Sequence, residues 1–213
     1  MNRKKKCFAI IISCFKNINK INNQATSNLP FDYSYFLGQS NQDSSINKPH
    51  QKLDCKDNYE SLIFKVFKAI QWVNKNEDYD YILKTDDDII FNKEKINSLY
   101  KNIYQSDIDY TGFFNVNSYT LNKSYYSNYH FGKCEDQQIN NTPVLCPAMN
   151  TYASGGAYFL SKKAVNKYLN EFPKEDKKLI FEDLLMGKIL NSQDNLKIER
   201  GLNNEFREAF KWE

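Results

Sequence analysis

An α/β fold is predicted by three adjoining segments in the middle of the chain. Residues 57–74, DNYESLIFKVFKAIQWVN, set Leu62, Ile63, Val66, Phe67, Ile70 and Val73 at three- and four-residue spacing, the period of a helix with one apolar face. The run YDYILKT that follows is short, apolar and rich in residues that favour extended backbone, so it reads as a buried strand. After three aspartates, NKEKINSLYKNI returns to helical spacing through Ile96, Leu99, Tyr100 and Ile103. Helix, strand, acidic turn and helix in succession is the pattern of a sheet with helices packed on it.

The remaining elements can be taken in chain order. Arg3 to Lys6 form a basic head before the apolar run Phe8 to Phe15, which has the outline of a signal sequence. That run is far too short to span a bilayer and no small-residue cleavage site follows it, so a buried first strand is predicted. No other segment reaches membrane length, and the chain is expected to carry no anchor of its own. SYFLG, Ser34 to Gly38, reads as a second strand ended by glycine, and Gln39 to Lys52 as a polar loop. Asp57 and Glu60 have the spacing of a capping box for the first long helix, and Trp72 on that helix is assigned to the core. DYTGFF, Asp109 to Phe114, is a further strand, and Asn115 to Pro143 an excursion of turns or irregular hairpins. In YASGGAYFLSKKAVNKYLNEF a small-residue turn feeds an aromatic strand, after which Ser161 caps a helix bearing Ala164, Val165, Tyr168, Leu169 and Phe172. A last helix starts near FEDLLMGKIL.

The 213 residues suffice for one sizeable domain and are short for two. With 41% apolar and 26% charged residues the composition is that of a folded globular protein. The net charge of +3 is mild and the lysines are scattered among acids, so no basic stripe points to nucleic acid. The 15 Tyr and 15 Phe, with abundant Asn, Lys and Ile, are equally the mark of a compositional bias and carry no mechanistic weight. Cys7, Cys14, Cys55, Cys134 and Cys146 form no C-x-x-C pair, which argues against structural zinc. Cys134 and Cys146 flank a polar loop; buried free thiols are expected, a bridge between them being the alternative in an oxidising compartment. The sequons at Asn122 and Asn140 matter only in a secretory lumen.

Chemistry concentrates at the predicted ends of strands and starts of helices. Asp86, Asp87 and Asp88 lie where a parallel-type strand ends, the edge at which open α/β sheets bind ligands. Along extended backbone, Asp86 and Asp88 point to one side and Asp87 to the other. Two carboxylates on one side suit a hard cation such as Mg²⁺ or Mn²⁺ that shares its other positions with phosphates and water. A solvated turn with a helix cap is the plain alternative, with Lys84 and Lys93 balancing the charge; the glycine and distal glutamate of an EF-hand are missing. Glu182 and Asp183 fall in the first turn of the last helix, where the dipole favours the ionised form and a carboxylate can take a proton from a hydroxyl. Ser154, Gly155 and Gly156 either let a ligand approach bare backbone or form a bulge.

Taken together and in order, these segments resemble the β-1,3-galactosyltransferase and β-1,3-N-acetylglucosaminyltransferase family, glycosyltransferase family 31, to which Fringe proteins are related. DNYESLIFKVFKAIQWV is similar to the family's D-S-Y-x-N-L-T-x-K helix, YDYILKTDDDIIFN to its strand ending in D-x-D, YASGGAYFLS to its Y-x-S-G-G-G-Y-x-L-S motif and FEDLLMG to its E-D-V-x-x-G motif. SYFLG is similar to the F-x-L-G strand upstream, so the resemblance runs from Ser34 to Gly187. It implies a single domain of GT-A type, a Rossmann-like mixed sheet flanked by helices, binding a UDP-sugar with a divalent metal, Mn²⁺ or Mg²⁺. By motif position Asp88 is the direct metal ligand, Asp86 faces the ribose or the metal's water shell, and Asp87 supports them. Asp183 is the general base toward the acceptor hydroxyl, with Glu182 positioning it, and Ser154 to Gly156 shape the donor-sugar or acceptor pocket. Inverting transfer to a glycan or glycoprotein hydroxyl, in β-1,3 linkage, is the implied reaction; a non-catalytic nucleotide- or glycan-binding descendant is the alternative. A metal-dependent phosphoryl-transfer or nuclease domain built on the aspartates is disfavoured by the lack of a basic groove. Family relatives are Golgi-lumenal.

Three departures stand out. INNQATSNL lacks both arginines and the tryptophan of the family's N-terminal R-x-x-x-R-x-T-W region, leaving Lys16 or Lys20 to meet the nucleotide. His50 and His130 both precede the E-D motif, after which relatives often carry a metal-binding histidine. The segment after the last predicted helix is short.

Overall fold

The computed structural model describes residues 5–40, 45–114, 123–148, 151–175, 178–192 and 194–212. Strands β1 (Cys7–Ile12), β2 (Asp32–Gln39), β3 (His50–Lys56) and β4 (Tyr81–Asp86) form one half of the central sheet. Its other half comprises β6 (Tyr110–Phe114), β9 (Ala153–Ser161) and β10 (Ile198–Glu199). The order is β10-β6-β9-β4-β1-β2-β3; β9 pairs antiparallel with both of its neighbours, and the other pairings are parallel. Two short ribbons complete the strands, β5 (Ile89–Phe91) with β11 (Phe210–Trp212), and β7 (Tyr125–Ser127) with β8 (Val144–Cys146). The helices are α1 (Ile18–Asn23), α2 (Leu62–Asn76), α3 (Lys93–Gln105), α4 (Gln137–Asn140), α5 (Lys162–Glu171), α6 (Glu182–Asn191) and α7 (Asn203–Ala209).

Side-chain alternation divides the core between the two faces of the sheet. Phe8, Ile10 and Ile12 of β1, with Tyr158 and Leu160 of β9, pack against α2, α5 and α6. Ala9 and Ile11, with Ala157 and Phe159, pack against α3 and α7. The near-continuous apolar runs of β1 and β4 follow from burial on both faces.

Several sequence expectations need revision. The predicted loop 39–52 runs into strand β3, whose edge position leaves only Leu53 of its seven residues buried. Asp57 and Glu60 form no capping box: α2 starts after Ser61 without a side-chain cap. Asp57 instead accepts from Phe15 N (2.6 Å), Gly38 N (2.7 Å) and Lys65 Nζ (2.7 Å), tying together the ends of β1, β2 and α2. Glu60 accepts from Glu135 N and Asp136 N. Ser154 to Gly156 are not a turn but the opening residues of β9. The last predicted helix, α6, is followed by α7 and β11. Ser161 does cap α5, accepting from Ala164 N at 3.2 Å. Trp72 is half-buried but packs against the core as expected, its ring edge-on to Phe36 at 5.6 Å.

The five cysteines are free thiols, with Cys134 and Cys146 buried. Asn140 of the second sequon is half-buried, and its Oδ1 accepts from Cys134 N at 3.2 Å. Arg3 and Lys4 of the basic head, Asn122 with its sequon, and residues 115–121 of the expected excursion lie outside the described residues. Among those described, no helix is long and apolar enough to cross a membrane.

Candidate active site

Because β9 runs against the rest of the sheet, its first residues lie at the edge where β4 ends, with Thr85 opposite Ala157. The start of α6 meets the same edge, where Gly155 N donates to Asp183 Oδ2 (3.2 Å) and Leu184 N donates to Asp183 Oδ1 (2.8 Å). Asp86, Asp88, Ser154, Gly155, Gly156, Glu182 and Asp183 thus line one cavity of about 560 Å³. Its rim is aromatic, with Tyr59, Tyr125, Tyr129, Tyr152, Phe181 and Trp212.

Lys84 is the hub of the acidic wall. It points to the same face as Asp86, two residues on, and its fully buried Nζ donates to Asp86 Oδ1 (2.8 Å), Glu182 Oε1 (2.9 Å) and the Gly155 carbonyl. Tyr158 OH donates to the other oxygen of Glu182 at 3.0 Å. Burial works against the lysine's charge, but Asp86 and Glu182 outweigh it and hold its pKa above the ordinary lysine value. Burial pushes Asp86 up to about 6 against the opposing pull of Lys84. Burial likewise raises Glu182 against Lys84, and Asp183 against the N–H groups of Leu184 and Gly155. Lys93 takes no part: it is exposed at the start of α3 and lines a different hollow.

Strand β4 ends at Asp86, so Asp87 and Asp88 lie in the turn that follows and not on the expected extended backbone. Asp87 turns away and accepts from Ser13 Oγ and from Asn17 Nδ2 (2.9 Å). Asp88 returns to the cavity, where its Oδ1 is buried without a hydrogen-bond partner. A buried, unpartnered carboxylate oxygen costs free energy unless a cation or donor meets it. Among the described residues no three His, Cys, Asp or Glu side chains are grouped to hold a metal by themselves. An ion of the Mg²⁺ or Mn²⁺ type takes one or two carboxylates and fills its other positions with phosphate and water, so Asp88, with Asp86, is where one could be held. His130 is not a candidate ligand: it is buried, with Nε2 at 2.9 Å from Ile139 O.

The two glycines let neighbouring side chains approach the backbone closely. A Cβ on Gly155 would lie 3.0 Å from Glu182 Oε1, and one on Gly156 would lie 2.6 Å from Trp212 Nε1. Sequence reasoning missed Trp212, Lys133 and the tyrosines of the rim. Their abundance read as compositional bias, and no local pattern marks residues that meet only through the fold. Lys16 lines an adjoining cavity, paired with Glu135 at 3.1 Å, whereas Lys20 lines a third beside Asp87.

Residues 36–200 match the family model described as Galactosyltransferase. The chain belongs to the galactosyltransferase family, as its ordered motifs imply. UDP-GalNAc:beta-1,3-N-acetylgalactosaminyltransferase 1 of Sus scrofa is 28% identical over 139 residues, 65% of this chain and 39% of that protein. The Homo sapiens protein of the same name is 27% identical over the same shares. The chain thus spans 39% of the length of the curated relatives it matches. The crystal structure of A197 from STIV superposes with a TM-score of 0.46 at 11% identity, covering 86% of this chain and 76% of that one.

Proposed function

We propose that the chain is a single GT-A-type domain that transfers a hexose or N-acetylhexosamine from a UDP-sugar to a glycan or glycoprotein hydroxyl, with inversion and in β-1,3 linkage. The observation that carries this reading is the convergence of Asp86, Asp88 and Asp183 on one cavity, with a buried oxygen of Asp88 left unpartnered. Family membership supports the reaction class. The names of the pig and human relatives make UDP-N-acetylgalactosamine the first donor to test.

In this reading Asp88 would hold the divalent ion, and Asp86, steadied by Lys84, would face its water shell or the ribose. When bound, such an ion neutralises charge on the departing UDP. Asp183 takes the proton from the attacking acceptor hydroxyl. Its raised pKa makes it a stronger base than an ordinary carboxylate, and the N–H groups of Gly155 and Leu184 fix its plane. Glu182, held between Lys84 and Tyr158, positions Asp183 by anchoring the first turn of α6. Gly155 and Gly156 leave the wall bare of side chains, so that the sugar ring can lie against backbone.

Asp183→Asn tests the assignment. UDP affinity in the presence of Mn²⁺ should stay at the wild-type value while transfer falls by about 10²–10⁴-fold. Wild-type turnover in this variant would remove Asp183 from the chemistry.

A further inference from the structure

The cavity that holds Asp183 opens into a second one of about 330 Å³, and Tyr59, Leu62, Asp86, Asp88 and Lys133 line both. A ligand reaching from one cavity to the other passes the two aspartates and Lys133. We propose that Lys133 contacts the diphosphate of the nucleotide-sugar and neutralises charge on the leaving UDP; the proposal rests on the transferase reading above.

Charge and pairing single out this residue. The first cavity collects Asp86, Asp88, Glu182 and Asp183 against one buried lysine, so without Lys133 one divalent ion still leaves it negative before an anionic diphosphate enters. A further mobile cation is needed for such a ligand to bind. Of the other lysines lining the two cavities, Lys84 is bound to Asp86 and Glu182, Lys65 to Asp57 at 2.7 Å, and Lys16 to Glu135 at 3.1 Å. Lys133 has no carboxylate partner among the described residues. Its ammonium lies 3.3 Å from the ring centre of Tyr129 and 5.6 Å from that of Tyr59, contacts that an anionic ligand readily displaces.

The backbone beneath it is fixed. Lys133 N donates to His130 O (3.0 Å), Cys134 N donates to Asn140 Oδ1 (3.2 Å), and Glu135 N and Asp136 N donate to the carboxylate of Glu60. Gly132, at φ 78°, makes the left-handed turn that precedes the lysine. An anchored backbone under an unpaired, flexible cation suits capture of a phosphate group.

The test compares UDP and uridine binding, both with Mn²⁺, to wild type, Lys133→Ala and Lys133→Arg by calorimetry, with turnover measured in parallel. Lys133→Ala should weaken UDP by about tenfold, flatten its salt dependence and lower kcat, while leaving uridine binding and the melting temperature unchanged. Lys133→Arg should retain most of the UDP affinity. UDP affinity and kcat within about twofold of wild type in Lys133→Ala would overturn the proposal while leaving the transferase reading standing. Failure of the folded wild type to bind UDP at all would overturn both.

Discussion

Lys84 shows how one side chain sets the character of the site. Fully buried charges persist only when paired, and this one has two carboxylates and a carbonyl. Its removal would strand Glu182, whose side chain is 3% exposed, without a counter-charge. Lys84→Met should therefore destabilise the fold by about 3–5 kcal/mol in urea denaturation. The double variant Lys84→Met/Glu182→Gln should regain much of that loss; equal destabilisation in both would show that the pair is not coupled. Asp183 carries a prediction of the opposite kind, on rate. A base acts only when ionised, and burial raises its pKa, so kcat should fall as pH drops through a midpoint above the usual aspartate value of about 4. A pH–rate profile flat down to about 4 would contradict the assignment. Gly156→Ala, finally, forces the Trp212 indole from the cavity wall, since a Cβ would lie 2.6 Å from its Nε1. Because Trp212 is a rim residue, the melting temperature should move little while kcat/KM falls by about tenfold or more.

At the scale of elements, the two-stranded ribbon of β5 and β11 packs with α3 and α7 and brings Trp212 to the cavity. Phe210 is buried at the start of β11, in contact with Phe91, Phe159 and Phe206, and Trp212, two residues on, reaches the cavity. Phe210→Ala should cost about 3–5 kcal/mol by the cavity it leaves, measurable as a lowered urea midpoint. None of this was legible from sequence, because β5 and β11 are three residues each and pair across more than a hundred positions. What was legible has a strong local period or is buried on both faces: β1, β4, α2, α3, α5 and α6. Strand β3 was hidden by its edge position, since one buried leucine among seven residues gives no alternation to read. The Ser-Gly-Gly run looked like a turn because glycine disfavours strands. Here it lies in β9 because a side chain would strike Glu182 or Trp212. Asp57 and Glu60 had the spacing of a cap but are used by partners distant in sequence, which capping rules cannot see.

For the whole molecule, placement of the site follows from topology. One antiparallel strand in a parallel sheet brings its own beginning, Ala153 to Gly156, to the edge where β4 delivers Asp86 to Asp88. The helix that leads with Glu182 and Asp183 packs on that face, so residues almost a hundred positions apart share one cavity. The acidic residues could be named from sequence because each ends or begins an element. Lys133, Tyr125, Tyr129 and Trp212, which help to complete the cavity, could not, because they come from β7, β11 and the turn at 128–133. A donor site assembled around Asp88 can be tested by the melting temperature of wild type and Asp88→Ala with UDP-N-acetylgalactosamine plus Mn²⁺ or EDTA. A ligand that binds only the native state at about a hundred times its Kd stabilises by about 2.7 kcal/mol. Wild type should show an upward shift that needs both nucleotide-sugar and metal and is absent in a folded Asp88→Ala. A shift of equal size in Asp88→Ala, or with EDTA in place of metal, would contradict it.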